Sequence, residues 1–333
     1  MKYILKNYQS PGDIVMLTAA VRDLKLSHPD IEVDVDTACS ELWENNPYLT
    51  KGIDGEVIKA DYPLVHDSNE GQHHFIHGFR QFLENKLNVR IKPTKFKGDI
   101  HISGEEKSWI SQVEEMGIKQ KFWILNAGGK YDFTAKWWNP DAFQQVVNRF
   151  KNRITFVQVG QSDHWHPELE GVINLIGKTD LRQLIRLIYH SVGVLTSVSL
   201  AMHLAAAIES PHTPNRPCVV IAGGREPVQW EAYPHHRFLA VNGAMKCCDN
   251  GGCWKSRCQL VGDGDKKDKK DVCLNPVNIQ KNLRIAKCMD MIETKDVVRA
   301  IEQYYTGGVL KYDSNIFQVR HGGRVRKKMR RTG

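Results

Sequence analysis

The sequence predicts an α/β protein made of two Rossmann-like units that face each other across a cleft, with a cysteine-rich insertion near the C-terminus. Three observations carry that reading. Short apolar runs alternate with stretches of helical periodicity, and the alternation starts twice, at residue 2 and again at residue 122. The 333 residues, 41% hydrophobic and 25% charged, are enough for two domains with cores of their own. Six of the eight cysteines crowd into residues 247–288, where both periodicities stop.

The first unit opens with a strand at residues 2–7 and a turn over 8–12. Residues 14–27 carry Ile14, Leu17, Val21 and Leu24 on one helical face, and Pro29 stops the helix. Ile31, Val33 and Val35 alternate with acids, the pattern of a half-buried strand. A second amphipathic helix over 73–87 directs Phe75, Phe79, Phe82 and Leu83 inward, and a charged helix over 105–116 bridges to the next unit. There, strands at 122–126, 155–160, 192–195 and 217–222 alternate with helices that start at Asp141, Asp180 and Ala201. Ligands of such sheets bind beyond the carboxyl ends of the strands.

Residues 241–292 break the alternation. They hold a run, 262–271, in which eight of ten residues are charged, and too little apolar periodicity to form a core alone. Residues 294–305 return to a helix with Val297, Val298, Ile301 and Tyr305 on one side, Thr294 as its cap and Gly307 as its terminator. The expected organisation is an N-terminal domain over 1–116, a second over 117–240, a cysteine module over 241–292, a helical segment over 293–319 and a tail over 320–333.

The net charge of +8 resembles a nucleic-acid signature until it is located. Residues 320–333 contain seven Lys or Arg and no acid, so the rest of the chain is nearly neutral. The tail reads as a solvated segment, with attraction to phosphate-rich partners or peripheral contact with anionic lipid as the sharper alternative. The most apolar stretch, 193–208, is sixteen residues long and is interrupted by Thr196, Ser197, Ser199 and His203, which falls short of a membrane span. The apolar part of residues 1–7 is too short for a secretion signal, so a cytoplasmic location is expected. There, crowded cysteines favour a metal over disulfides, which remain the alternative. Cys39 and Cys218 stand apart beside strands and read as buried thiols.

Three loops carry chemistry. Ser10-Pro11-Gly12-Asp13 lies between a strand and a helix, where amides attract anions and Gly12 allows close approach, while Asp13 can equally cap the helix. The second loop follows the strand at 122–126. Gly128 and Gly129 would admit a diphosphate, Thr134 would donate a hydrogen bond and Lys136 would neutralise charge; packing of Trp137 and Trp138 around a long turn is the bland alternative. The third, Thr196 to Ala207, places Ser199 and Leu200 at a helix start and His203 near its first turn, where a histidine among apolar neighbours can also be a core residue. His73 and His77 have i,i+4 spacing, but no zincin acid accompanies them.

Taken in order, Gly12-Asp13-Ile14-Val15, then Gly128-Gly129 with Lys136-Trp137, then Met202-His203-Leu204-Ala205-Ala206-Ala207 resemble family 9 glycosyltransferases, the heptosyltransferase-like enzymes. The resemblance covers residues 1–240 and the final helix. It implies a GT-B fold whose N-terminal domain binds the acceptor and whose C-terminal domain binds a nucleotide-sugar, typically ADP-heptose. It implies inversion at the anomeric centre with no catalytic divalent metal, and an acceptor hydroxyl on a protein or a lipopolysaccharide-type glycolipid. By the same resemblance Asp13 is the general base and Lys136 binds the donor phosphates. Gly12, Gly128, Gly129, Thr134, Ser199, Leu200 and His203 surround the nucleotide-sugar. One departure stands out: the family's Asp-Thr-Gly before Met-His-Leu is Val198-Ser199-Leu200 here, which removes a carboxylate near the donor sugar.

The cysteine module is similar in placement to the four-Cys iron-binding finger of bacterial autotransporter heptosyltransferases. On that likeness Cys248, Cys253, Cys273 and Cys288 would hold a structural iron or zinc ion, with Cys247 a substitute and Cys258 the weaker candidate. A homo-oligomer is a possible assembly. The competing reading is a non-enzymatic scaffold that binds nucleic acid through the cysteine module and the basic tail.

Overall fold

The computed structural model describes residues 1–60 and 74–306. Strand β1 (Lys2–Asn7) leads through Ser10 into α1 (Pro11–Ser27), and β2 (Glu32–Thr37) and β3 (Glu56–Lys59) follow. The three strands are parallel in the order β2-β1-β3. The chain leaves β1 on one side and returns on the other, so the loop after β1 sits at a topological switch point.

Helix α1 begins at Pro11, three residues earlier than the apolar spacing alone suggests, because the Ser10/Asp13 capping box and a proline at the first helical position start it there. It is buried from Gly12 to Leu24. All-round burial follows from its place between the first sheet and the second lobe. Arg22, 1% exposed, donates to Thr94 Oγ1 at 3.0 Å and to the carbonyls of Lys95 and Lys97 at 2.8 and 3.0 Å, which fastens the returning chain to the helix. Helix α2 (Phe75–Leu87) packs against α1 with Phe75, Phe79 and Leu83 buried.

The bridge between lobes differs from the single helix expected over 105–116. It is two short turns, α3 (Gly104–Ser108) and α4 (Gln112–Glu115), with Trp109 and Ile110 exposed between them. Ser103 and Ser111 each accept an N–H three residues on, so two caps start two helices where periodicity reads one. Arg182 holds the first turn to the second lobe through Glu106 Oε2 at 2.7 Å, and Arg186 holds the second through Glu115 Oε1 at 2.6 Å.

The second lobe runs β4 (Phe122–Asn126), α5 (Pro140–Phe150), β5 (Thr155–Gln158), β6 (Ile173–Asn174), α6 (Leu181–His190), β7 (Gly193–Ser197), α7 (Leu200–Ala207), β8 (Cys218–Gly223), α8 (Val228–Glu231) and β9 (His236–Ala240). Its six strands are parallel, in the order β6-β5-β4-β7-β8-β9. The direction of winding reverses between β4 and β7. The Gly128 loop after β4 and the Ser199 turn after β7 therefore flank one crevice. Helix α7 lies on α1, and one apolar core runs across both lobes.

The cysteine module is more ordered than its composition suggests: α9 (Lys267–Lys270), the antiparallel hairpin β10 (Pro276–Gln280) and β11 (Leu283–Ala286), and α10 (Lys287–Asp290). As expected, it has no core of its own. Cys258, Ala286, Cys288, Met289 and Ile292 complete the core of the second lobe. Helix α11 (Thr294–Thr306) packs on α5, and the residue it buries is Tyr304 rather than Tyr305. Tyr304 earns that place through polar contacts as well, with its hydroxyl bound to the Cys218 and His235 carbonyls. Thr294 is the first helical residue, not the cap. Cys218 is buried as expected, whereas Cys39 is only half-buried. Among the described residues no helix is long and apolar enough to cross a membrane. His73, Gly307 and the 320–333 tail lie outside the described residues.

Candidate active site

Asp13 is on the first turn of α1, and Ser10 N–H donates to its Oδ2 at 3.1 Å, so it completes the cap while facing the second lobe. It is 8% exposed. Burial pushes its carboxyl up to about 7; the Lys136 ammonium and the Ser10 amide oppose the rise, and the Glu226 charge adds to it. Asp13 and Lys136, predicted as base and phosphate ligand, thus come from different lobes to within electrostatic reach of each other.

Lys136 ends a short 3₁₀ stretch, Tyr131–Lys136, after the Gly128–Gly129 turn. Its Nζ lies 2.8 Å from Glu226 Oε1. Glu226 follows β8, is 3% exposed, and also pairs with Arg225. Burial works against its charge, yet the Arg225 and Lys136 cations hold it below the usual carboxylate range. On α8, Glu231 is driven the other way, well above that range, by burial and then by the negative charge of Glu226. Glu226 Oε2 and Glu231 Oε2 are buried oxygens without a hydrogen-bond partner among the described residues.

His203 is 4% exposed, and its Nδ1 is 2.9 Å from Tyr233 Oη. Its Nε2 lies 3.9 Å from Glu231 Oε2. Burial holds the imidazole well below its ordinary pKa, so it is neutral at physiological pH. The ring packs directly on the other lobe, because a Cβ at Gly12 would meet His203 Cδ2 at 2.8 Å. Close approach of two helices, rather than an unusual dihedral, is what requires glycine there.

The remaining predicted ligands separate by role. Gly128 has φ +93°, and a Cβ there would strike the Trp165 carbonyl at 2.1 Å, so the packing of the Trp165 loop accounts for this glycine. Gly129 has φ +148° with open space on its Cβ side, which leaves room for a ligand. Ser199 caps α7, and its hydroxyl is shared with Thr196 Oγ1 at 2.8 Å and Asn126 Nδ2 at 3.2 Å. Leu200 begins α7 and is half-buried against the core. Thr134 is a correction. Its fully buried hydroxyl accepts the amides of Cys258 and Gln259 at 2.9 Å each and donates to the Gln259 carbonyl at 2.8 Å, which leaves no capacity for phosphate.

Sequence reasoning missed Arg225, Glu226, Glu231 and Tyr233. A signal was present in Gly223-Gly224-Arg225-Glu226-Pro227, a glycine-rich charged turn at the carboxyl end of an apolar strand. His77 sits against Phe96 at 5.2 Å between ring centroids, in an aromatic surrounding.

Cys247, Cys248, Cys253, Cys273 and Cys288 line one small pocket with Arg225 and Lys255. Cys258 lies behind it, hydrogen-bonded through sulfur to Cys273. The soft donor set suits iron or zinc. The expected four-thiolate centre is not shown: among the described residues no three His, Cys, Asp or Glu side chains are placed to hold one ion. Cys248 donates through sulfur to the Met245 carbonyl, Cys247 accepts from Asn275 Nδ2, and Cys248 and Cys288 pack on Gly224.

The family model for glycosyltransferase family 9 (heptosyltransferase) matches residues 59–247. Among solved structures, the chain is similar to E. coli ADP-heptose LPS heptosyltransferase II, with 16% identity and a TM-score of 0.58 over 91% of this chain and 98% of that one. A family 9 glycosyltransferase from Veillonella parvula gives 16% identity and a TM-score of 0.60 over 91% and 96%. The iron-containing dodecameric glycosyltransferase TibC from enterotoxigenic E. coli gives 14% and 0.59 over 91% and 75%. At these identities the likeness establishes the fold. No curated protein matches the chain.

Proposed function

From the premise that this chain belongs to glycosyltransferase family 9, the heptosyltransferase family, we propose that it transfers a heptose from ADP-heptose, with inversion, to a hydroxyl of a protein or a lipopolysaccharide-type glycolipid. The chain is a glycosyltransferase; family membership does not favour the nucleic-acid scaffold. The single observation that carries the reading is that Lys136, from the second lobe, lies near enough to the buried Asp13 carboxyl of the first to act on it electrostatically.

In this reading Asp13 removes the acceptor hydroxyl proton as the oxygen bonds to the anomeric carbon, and the bond to the diphosphate breaks with its electron pair leaving on phosphate. A buried carboxyl pushed up to about 7 is matched to that proton near neutral pH. Lys136 neutralises the departing diphosphate, and charge stabilised at the leaving group favours the transition state over the ground state. Open space beside Gly129 admits the diphosphate, whose charge then falls to Lys136, because the Gly129 amide already donates to the Trp165 carbonyl at 2.8 Å. Binding requires Lys136 to exchange Glu226 for phosphate, and closure of the lobes brings base and cation to opposite sides of one carbon.

The test is release of ADP from ADP-heptose with transfer of the sugar to acceptor, after a thermal-shift screen of nucleotide-sugars. Stabilisation by ADP-heptose supports the donor assignment. Stabilisation by a different nucleotide-sugar replaces it.

A structural iron or zinc on Cys248, Cys253, Cys273 and Cys288 is the finer proposal for the module. Its support is that all four line one pocket and that a structural relative is described as iron-containing. About one equivalent of metal per folded chain is the expected result; a metal-free folded chain removes the proposal.

A further inference from the structure

We infer that the cysteine-bearing segment braces the loop that presents Lys136, with Thr134 and Arg257 as positioning residues. The inference rests on the reading of Lys136 as the phosphate ligand.

The loop cannot set its own shape. Tyr131–Lys136 is a 3₁₀ stretch interrupted at Phe133, whose φ of −130° and ψ of 50° are non-helical. So short a run, broken in the middle, has no cooperative stability of its own. Its conformation comes from outside, and the contacts come from residues 256–259. The Thr134 hydroxyl is saturated by the amides of Cys258 and Gln259 and the carbonyl of Gln259. Ala135 N–H donates to the Ser256 carbonyl at 3.0 Å. The guanidinium of Arg257, 0% exposed, binds Asp132 Oδ1 at 3.2 Å and Asp263 Oδ2 and Asp268 Oδ1 at 2.7 Å each. The charged run that carries no apolar pattern is thus used to hold one buried cation, and that cation reaches the loop.

The same segment grips the other side of the Lys136 ion pair. Arg225, next to Glu226 in the chain, donates to the Lys255 carbonyl at 2.7 Å, and its own carbonyl accepts Trp254 N–H at 3.1 Å. The Arg225 guanidinium and the Lys136 ammonium both lie over the Phe133 ring, at 5.1 and 5.5 Å from its centroid. Residues 254–259 therefore fix both the cation and its carboxylate partner. A misplacement of about 1 Å in such a group costs about a hundredfold in rate, which gives the brace a direct consequence for turnover.

Asp132→Asn is the discriminating variant, because Asp132 is half-exposed, and without its charge buried Arg257 keeps Asp263 and Asp268 while Lys267 keeps Asp265. Coulomb's law alone predicts that removing a negative charge near a diphosphate tightens ADP binding. The brace predicts weaker binding, about three- to tenfold by calorimetry, together with a lower kcat. Thr134→Val should reproduce the loss, and Thr134→Ser, which keeps the hydroxyl, should restore it. Unchanged or tighter ADP binding in folded Asp132→Asn overturns the inference. Lys136→Ala run in parallel separates the two readings: ADP affinity insensitive to Lys136 overturns the phosphate assignment and the brace with it.

Discussion

Lys136 Nζ lies 2.8 Å from Glu226 Oε1, so the cation proposed to bind the donor phosphates already has a buried carboxylate partner within its own lobe. Any diphosphate must compete with Glu226. Glu226→Gln should therefore bind ADP more tightly, by about tenfold, or 1.4 kcal/mol. The same variant should lose about 3 kcal/mol of stability, because two cations then lack their buried counter-charge. Calorimetric titration and urea unfolding measure the two effects. Weaker ADP binding in a folded variant would remove the competition argument.

Asp13 must be ionised to act as base, so kcat/KM should rise with pH and level off above about 7. Lys136 lowers the Asp13 value and Glu226 raises it. Lys136→Met should shift the limb to higher pH and Glu226→Gln to lower pH, read from the pH profile of residual activity. A limb that ignores both substitutions argues against Asp13 as the titrating base.

Asp13→Asn keeps an oxygen for the Ser10 amide but cannot take a proton. Turnover should fall by about a hundred- to ten-thousandfold, with ADP affinity retained. A stability signature accompanies it. The folded chain holds the Asp13 proton up to about 7 while the unfolded chain releases it near 3.8, so burial of the charge costs stability that is fully felt above pH 7 and absent below pH 4. Wild type should lose stability across that window relative to Asp13→Asn. Parallel stability curves would contradict the burial argument.

Gly12→Ala places a methyl 2.8 Å from His203 Cδ2 at the contact between lobes. Overpacking of this kind costs about 1–3 kcal/mol, and here it also props the cleft open. Thermal unfolding and steady-state rates should both suffer, and adding His203→Ala should recover part of the stability loss in a double-mutant cycle. Fully additive effects would mean that the two residues do not touch in solution.

Strands β1, β4, β5, β7 and β8 were legible as short apolar runs and β2 as an alternation with acids, whereas the edge strands β3, β6 and β9 were not read; Ile14, Leu17, Val21 and Leu24 marked the inner face of α1 at helical spacing. That Asp13 and Lys136 would lie near each other was an expectation from motif order, and their electrostatic proximity agrees with it. The break between α3 and α4 was not legible, since two serine caps outweigh a continuous charged pattern. Thr134 was misread for a related reason: a hydroxyl in a glycine-rich loop looks the same whether it faces phosphate or the backbone of residues 258–259.

The one-dimensional pattern by itself determined the two α/β units and the order of the three loops, because periodicity and local turn chemistry are properties of neighbouring residues; the family came from the resemblance of those loops. The tertiary structure alone decided that Glu226 partners Lys136, that Glu231 and Tyr233 surround His203, and that the charged run after Gly262 converges on Arg257. These pairings join residues from about 30 to 90 positions apart, or bend a local run around one buried cation, and burial fixes their charge states. Desolvation depends on what the rest of the chain packs around a group, and no local pattern encodes that.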